Sequence, residues 1–495
     1  MTEREPRWPE AAWVAVVVMV GLGLASPSFP DVMECGYLLG AYRAGHPGFL
    51  AGDFTFGLQH PKTIVFDFLL GPVSRVVSLE IIGWAGRIGL LAATALAMIR
   101  IARRAGLSAG AGAVAVIAWL GFGQSVVGGE IATAILVPRT ASWAAGLWAV
   151  AAILARRPKL AGGLLGVAIA FHLSVGAGLS LAIAAAMVGL RYDYRQWAWV
   201  VGLSALIALP AAIPAIGEVT QPGTDLVAEW RFQALERLRV HLDLHYFSAR
   251  SLAALGAMAG FVLVAWHRSS NEAIRALGWA TIAMIALFGY GVLATSIGRY
   301  DLLAIYPFRV PPVLIQFAFL LTAVAGYRAG WYAPPARLTP LVVVAILLAM
   351  PNPIDLVANG RFRGRPEPAD HTAALEWIRE NTPPTATVVV SPVRRCTQFV
   401  SHRPQIVYGD LARLDRLKEW RERYQAHFGA HAAGLSKGEL DAAFNRLDEA
   451  AIRGLVREYG GDFLVTQGLH SFPVVHQSGR YRVYDLAALE RPVGR

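Results

Sequence analysis

Long apolar runs separated by short polar turns dominate the first 350 residues of this 495-residue chain. A helix needs about 20 apolar residues to cross a bilayer, and eleven segments approach that length. These segments are residues 11–25, 82–101, 108–127, 137–155, 160–176, 177–190, 196–216, 251–267, 274–296, 302–326 and 337–350. The pattern therefore predicts a polytopic α-helical membrane protein with about eleven spans.

Arginine-rich turns between the runs indicate the orientation, because cytoplasmic loops collect Lys and Arg. We interpret the first run as an uncleaved signal anchor with a cytoplasmic N-terminus, rather than as a cleaved signal peptide. With this orientation, all of the basic clusters lie on the cytoplasmic side if Thr63–Ser78 does not cross the membrane. We therefore predict that Thr63–Ser78, which carries Asp67 and Arg75, is a juxtamembrane helix along the membrane surface. This topology places outside the membrane residues 26–81, 128–136, 217–250, a short stretch at Arg299–Asp301 and the tail after Met350.

The tail differs from the rest in charge. Residues 361–495 contain 36 of the chain's 79 charged side chains (45 basic and 34 acidic), which indicates a domain in water. After a linker at 351–368, the pattern predicts helices over 371–380, with Asp370 as N-cap, 411–428 and 440–459, and strands over 385–391, 405–408, 462–466 and 480–486. We therefore expect a transmembrane domain at 1–358, including the external loop 26–81, and an extracytoplasmic α/β domain at 359–495.

Composition narrows the class further. A hydrophobic content of 55% and a charged content of 16% exclude a disordered or collagen-like chain and make a soluble enzyme improbable. The net charge of +11 follows from the positive loops, so we expect no nucleic-acid partner. Cys35 and Cys396 match no metal or redox spacing. They are either unpaired or joined in a disulfide outside the cytoplasm.

The first external loop carries the first candidate chemistry. Asp31 and Glu34 are three residues apart and share a face if the stretch is helical. Two such carboxylates could supply a general base or bind a metal, or they could cap a short interfacial helix. Farther along, His60 and Lys62 are placed to bind a phosphate at the membrane surface or to anchor the loop there.

Other polar residues cluster at the same predicted face. Glu130 could join the first-loop acids across one cavity or pair with Arg139. Arg299 and Arg309 could bind a phosphate or anchor their helix. His172, inside an apolar run, is either a packing residue or a site residue. Because the cytoplasmic side shows only flanking cations and no internal repeat is evident, an outward-facing site is favoured over a transport pathway.

In its order of parts the chain resembles the GT-C superfamily of integral-membrane glycosyltransferases. The motifs that carry the resemblance are Asp31 and Glu34 with Tyr37, His60-Pro61, the basic turn Ile101–Gly106, Glu130, the tail segment Ala374–Pro384 and the closing Tyr481–Tyr484. The resemblance implies a bacterial cytoplasmic-membrane enzyme that uses a polyprenyl-phosphate-linked sugar as donor and membrane lipids as partners. The acceptor, whether glycan, lipid or protein, is not specified.

The resemblance also implies residue roles. Asp31 or Glu34 would deprotonate the acceptor, while Met33 occupies a position where many relatives carry Asp, which puts the activity of this member in question. Glu130 would orient the acceptor or help Asp31 and Glu34 hold a divalent cation such as Mg²⁺ or Mn²⁺. Residues expected to bind substrate or phosphate are His60, Lys62, Arg139, His172, Arg299 and Arg309. The rival hypotheses are a lipid or solute transporter or flippase, and a non-catalytic envelope scaffold.

Overall fold

The computed structural model describes residues 9–26, 29–56, 63–128, 130–219, 226–328, 368–394, 396–409, 416–428 and 435–486. The described part of the chain is mostly helical. Its helices up to residue 328 are α1 (Glu10–Ala25), α2 (Val32–Gly45), α3 (Ile64–Ser74), α4 (Leu79–Arg104), α5 (Ala109–Gly121), α6 (Pro138–Leu154), α7 (Pro158–Phe171), α8 (Leu173–Gly189), α9 (Tyr194–Val219), α10 (Leu226–Phe232), α11 (Arg239–Leu242), α12 (Ala249–Arg268), α13 (Glu272–Ser296) and α14 (Val310–Arg328).

Four of the described helices are long and apolar enough to cross a membrane, and these are α4, α9, α12 and α13. Shorter apolar helices, α1, α3, α5, α7, α8 and α14, occupy other segments that the sequence assigned to spans or to the membrane surface. The last predicted span, 337–350, lies outside the described residues. The protein is thus a helical membrane protein, and the total of about eleven spans stays a prediction.

Two of the helix boundaries that differ from the sequence pattern have a clear local cause. The break between α7 and α8 falls at His172 rather than between residues 176 and 177, because the His172 ring caps α8. The helix predicted from residue 302 begins only at Val310. A 3₁₀ turn over Tyr300–Ile305 precedes it, and Tyr306 follows this turn in the left-handed conformation, with φ of 55°.

The described chain forms two compact units. The helical unit comprises Met1–Pro27, Gly83–Ile213 and Asp225–Arg363, and the tail unit comprises Ser28–Ile82, Pro214–Thr224 and Gly364–Arg495. Residues 28–82, which contain most of the first external loop, are thus grouped with the tail. The predicted domains at 1–358 and 359–495 stay a prediction.

Close helix packing builds the helical unit. Helix α6 packs on α7, and α8 packs on α13. Gly162 and Gly166 on α7 let the backbone of α9 approach, since a Cβ on Gly166 would lie 3.0 Å from Ser204 Cα. Small residues spaced by four are the usual means of such contact between membrane helices.

The tail unit contains a four-stranded sheet in the order β1-β2-β4-β3. Its strands are β1 (Val388–Val389), β2 (Phe463–Thr466), β3 (Val474–Ser478) and β4 (Tyr481–Asp485). Strand β1 runs parallel to β2, whereas β2 and β3 each pair antiparallel with β4. Around it lie helices α15 (Ala369–Asn381), α16 (Thr397–Ser401), α17 (Leu417–Ala426), α18 (Lys437–Phe444) and α19 (Glu449–Tyr459).

The tail differs from its sequence pattern in several respects, including the following three. The helix predicted over 440–459 is two helices, because Asp448 accepts a hydrogen bond from Ala451 N and starts a new helix there. The predicted strand at 405–408 is reduced to a single bridge at Gln405. The N-cap of α15 is Pro368, two residues before the predicted Asp370.

Candidate functional site

A buried charge cluster lies in the helical unit, formed by Glu130, Arg139 and Arg309. Arg309 Nε lies 3.0 Å from Glu130 Oε2, and Arg139 Nε lies 3.7 Å from Glu130 Oε1. The three side chains are 8%, 4% and 0% exposed for Arg309, Arg139 and Glu130. Trp143 Nε1 donates to Glu130 Oε1 at 3.4 Å. We call this set the Glu130 cluster; it sets one carboxylate against two guanidinium groups.

The loop before α6 brings Glu130 to this position. Gly128 has a φ of 79°, and a Cβ there would lie 2.6 Å from the Phe308 carbonyl oxygen. Only glycine therefore allows this approach. The His241 ring donates to the Gly128 carbonyl, and the Gln124 side chain accepts hydrogen bonds from Ala132 N and Thr133 N. These contacts hold the loop on both sides of Glu130.

Arg309 is held by the turn that precedes α14. Its guanidinium lies over the Tyr306 ring at 4.4 Å, and Trp230 contacts the same ring edge-on at 5.8 Å. A stacked arginine keeps its planar donors in one orientation. The cluster therefore joins segments that are far apart in sequence, and the pairing of Glu130 with Arg139 that the sequence suggested is extended by Arg309.

Asp31 and Glu34 belong to the tail unit, where they form a capping box on α2. Asp31 Oδ1 accepts from Met33 N at 2.9 Å, and Glu34 Oε2 accepts from Asp31 N at 2.9 Å. Glu34 is completely buried, whereas Asp31 is half-buried. The capping alternative that the spacing suggested is present, and it leaves Asp31 as the more accessible carboxylate.

A disulfide between Cys35 and Cys396 fixes this end of α2 to the tail segment. Phe29 packs edge-on against Phe399 at 6.5 Å, close to the same link. Cys35 directly follows Glu34, so the disulfide constrains the helix turn that bears both acids. The unpaired alternative for the two cysteines is therefore wrong for this structure.

Two buried acids of the tail unit, Asp53 and Asp67, were not predicted as site residues. Asp53 accepts four hydrogen bonds, from Thr55 N, Phe56 N, the Gln398 amide and Gln405 N. Burial raises the pKa of Asp53, and these hydrogen bonds oppose the rise. Its contacts with residues far along the chain indicate a structural role, which a lone Asp in a glycine-rich loop does not reveal.

Asp67 lies on α3 and is buried. Thr63 Oγ1 donates to its Oδ2 at 2.6 Å. Burial raises the pKa of Asp67 to about 7, while Thr63 and the Arg43 charge oppose the rise. The signal for it in the sequence was an acid inside an apolar run.

The remaining predicted residues have other surroundings. Arg299 is exposed and forms two hydrogen bonds with Asp301, at 2.9 and 2.7 Å. His172 Nδ1 accepts from Val175 N at the start of α8. His60 and Lys62 lie outside the described residues. Within the described ranges no group of three or more His, Cys, Asp or Glu side chains could hold a metal ion.

No family model and no curated protein matches the sequence. Among solved structures, the archaeal oligosaccharyltransferase AglB from Archaeoglobus fulgidus, in complex with an inhibitory peptide and a dolichol-phosphate, is similar with a TM-score of 0.50 and 13% identity. That match covers 92% of this chain and 69% of AglB.

Two further structures match with TM-scores of 0.48. They are the apo form of the same oligosaccharyltransferase, at 14% identity, and the mycobacterial arabinofuranosyltransferase AftD, at 15% identity. The apo match covers 94% of this chain and 70% of that one, and the AftD match covers 92% of this chain and 35% of that one. At these identities the likeness concerns the fold alone. The predicted resemblance is confirmed at that level: the chain is an integral membrane protein with the fold of the GT-C glycosyltransferases.

Proposed function

We propose that this protein is a membrane glycosyltransferase that transfers a sugar from a polyprenyl-phosphate donor to an acceptor outside the cytoplasm. The fold supports this proposal, because AglB has the same fold and its structure contains a dolichol-phosphate. The disulfide between Cys35 and Cys396 supports an oxidising compartment for the tail unit.

The observation that carries the proposal is the composition of the Glu130 cluster. Two guanidinium groups face one carboxylate, and all three side chains are at least nine-tenths buried. An excess charge in a low-dielectric site is costly unless a counter-charge is present. A lipid phosphate supplies such a charge, and arginine binds phosphate through two parallel hydrogen bonds. We assign Arg309 to the phosphate and Arg139 to supporting Glu130.

The general base is assigned to Asp31. A base must reach the hydroxyl proton that it removes. Asp31 is half-buried, whereas Glu34 is buried and engaged with the Asp31 backbone. In the reaction the acceptor oxygen attacks the anomeric carbon, its proton passes to Asp31, and the lipid phosphate leaves with the electron pair of the broken bond. Such a single displacement inverts the anomeric centre.

The other predicted roles are less well supported by the geometry. Glu130 suits a divalent cation poorly, since each of its oxygens faces a guanidinium group. The proposed reaction therefore has no step at a metal ion. Binding of Mg²⁺ or Mn²⁺ by Asp31 and Glu34 stays a prediction. Arg299 would have to leave Asp301 before binding phosphate. His60 and Lys62 remain candidate phosphate ligands.

The test is turnover of radiolabelled polyprenyl-phosphate monosaccharides by the full-length protein in proteoliposomes. We expect Asp31→Asn to lower turnover by at least about 100-fold and Arg309→Gln to lower it comparably. Arg195→Ala, an exposed cation at the predicted cytoplasmic face, is the control and should retain activity. Sugar-lipid flux without cleavage of the glycosidic bond would instead support a flippase, and unchanged turnover in Asp31→Asn would refute the base assignment.

A further inference from the structure

A second basic site lies in the helical unit, at the opposite end of α6 from the Glu130 cluster. It is a cavity of about 620 Å³, and its charged and aromatic lining residues are Glu10, Arg100, Arg103, Arg104, Trp148 and Arg157. Arg139 is in the first turn of α6 and Ala155 follows its last turn. At 1.5 Å per residue these ends are about 24 Å apart, so the cavity is separate from the cluster.

Helix ends build the cavity. The start of α1, the end of α4, the end of α6 and the start of α7 meet there. On α6, Trp148 lines the cavity together with the small residues Ala151 and Ala152, and the small residue Ala155 follows the helix end. Small side chains leave space between the longer arginines, which explains why a concavity forms at this point rather than a filled interface.

The charges of the lining do not balance. Among the described residues, four guanidinium groups line the cavity together with one carboxylate, that of Glu10. Arg103 and Arg100 share that carboxylate, and Arg100 also lies over the Trp148 ring at 4.7 Å. Among the described residues Arg104 and Arg157 form no ion pair with any carboxylate, and both side chains are exposed. Glu10 therefore orients Arg100 and Arg103, whereas Arg104 and Arg157 are available to bind a ligand.

We propose that this cavity binds a phosphate group, that of an anionic phosphoglycerolipid in the adjacent leaflet. The cavity is large enough for a headgroup, since small-molecule sites span about 300–1,000 Å³. Basic pockets between membrane helices on the cytoplasmic side are suited to anionic headgroups. The sequence pattern places this arginine-rich end of the bundle in the cytoplasm, where anionic lipids carry the surface charge. The same chemistry would accept a soluble phosphate, and the experiment separates the two.

The experiment measures lipid binding to the full-length protein in detergent by native mass spectrometry, with phosphatidylglycerol and phosphatidylcholine as probes. The double variant Arg104→Ala/Arg157→Ala should bind phosphatidylglycerol about 25-fold more weakly, since each cation near an anionic surface contributes roughly fivefold. Arg195→Ala/Arg268→Ala removes two exposed cations outside the cavity and serves as the matched control. A thermal melt of both variants checks that each is folded.

A further variant should change phosphatidylglycerol binding in the opposite direction. Glu10→Gln removes the only carboxylate that lines the cavity among the described residues, so it should strengthen phosphatidylglycerol binding about fivefold. Displacement of the lipid by inorganic pyrophosphate at constant ionic strength would assign the site to soluble phosphates. Equal binding of both lipids, or equal weakening in the two double variants, would overturn the proposal.

Discussion

The Glu130 cluster makes a quantitative prediction, because Glu130→Gln preserves side-chain shape while removing the charge that two buried guanidinium groups face. All three side chains are less than one-tenth exposed, so water cannot replace the lost carboxylate. Removing one partner of a buried ion pair costs about 3–5 kcal/mol. We expect the thermal midpoint of the detergent-solubilised protein to fall by about 3–5 °C, since ~1 kcal/mol shifts the midpoint of a chain of this length by about 1 °C.

A matched substitution at the surface shows whether the loss of stability comes from the burial of the ion pair or from the loss of any ion pair. Asp301→Asn breaks the exposed pair with Arg299, which has good geometry but lies in water. Exposed pairs contribute little to stability, so this variant should melt close to the wild type.

A double-mutant cycle then tests whether the charges are coupled. In the Glu130→Gln background, Arg309→Gln should cost less than in the wild type, because Arg309 has already lost the carboxylate that it faces and is itself an uncompensated charge. Additive effects of the two substitutions, or a Glu130→Gln protein as stable as the wild type, would refute the argument from buried charge.

Three further predictions concern other parts of the molecule. Denatured protein should take up no maleimide–polyethylene glycol before reduction and two adducts afterwards, since Cys35 and Cys396 are the only cysteines; two adducts without reductant would exclude the disulfide. Because burial raises the pKa of Asp67 to about 7, the folded state binds this proton more tightly than the unfolded chain. Stability should therefore decrease as pH rises from about 4 through 7, and an equal decrease in Asp67→Asn would exclude this origin. Gly166→Ala should destabilise by about 1–3 kcal/mol through overpacking, whereas Gly163→Ala, whose Cβ would meet its nearest neighbour at 3.9 Å, should not.

The helical segments could be predicted from the sequence because the hydrophobic period is a local property. Apolar runs bounded by arginine turns located α4, α9, α12 and α13 to within a few residues. Strand β3 was not predicted, since its VVHQS segment is short and largely exposed. It is stabilised by pairing with β4, and that pairing is a tertiary contact.

The candidate site, too, could be predicted from the sequence only in part. Spacing alone indicated that Asp31 and Glu34 share a helix turn, and charge at membrane depth singled out Glu130, Arg139 and Arg309. The sequence could not show that Arg309 lies against Glu130, or that Cys35 bonds to a cysteine 361 residues away.

The sequence by itself determined the class of protein, its predicted orientation and the set of polar residues from which a site can be built, because these depend on composition and on periodicity within one segment. Only the tertiary structure decided which of those residues meet and which are buried. Burial and partner together set the energy of a charge, and they depend on segments that are distant in the chain. For this reason the structure shows the Glu130 carboxylate between two arginines, whereas a metal-binding role for Glu130 stays a prediction.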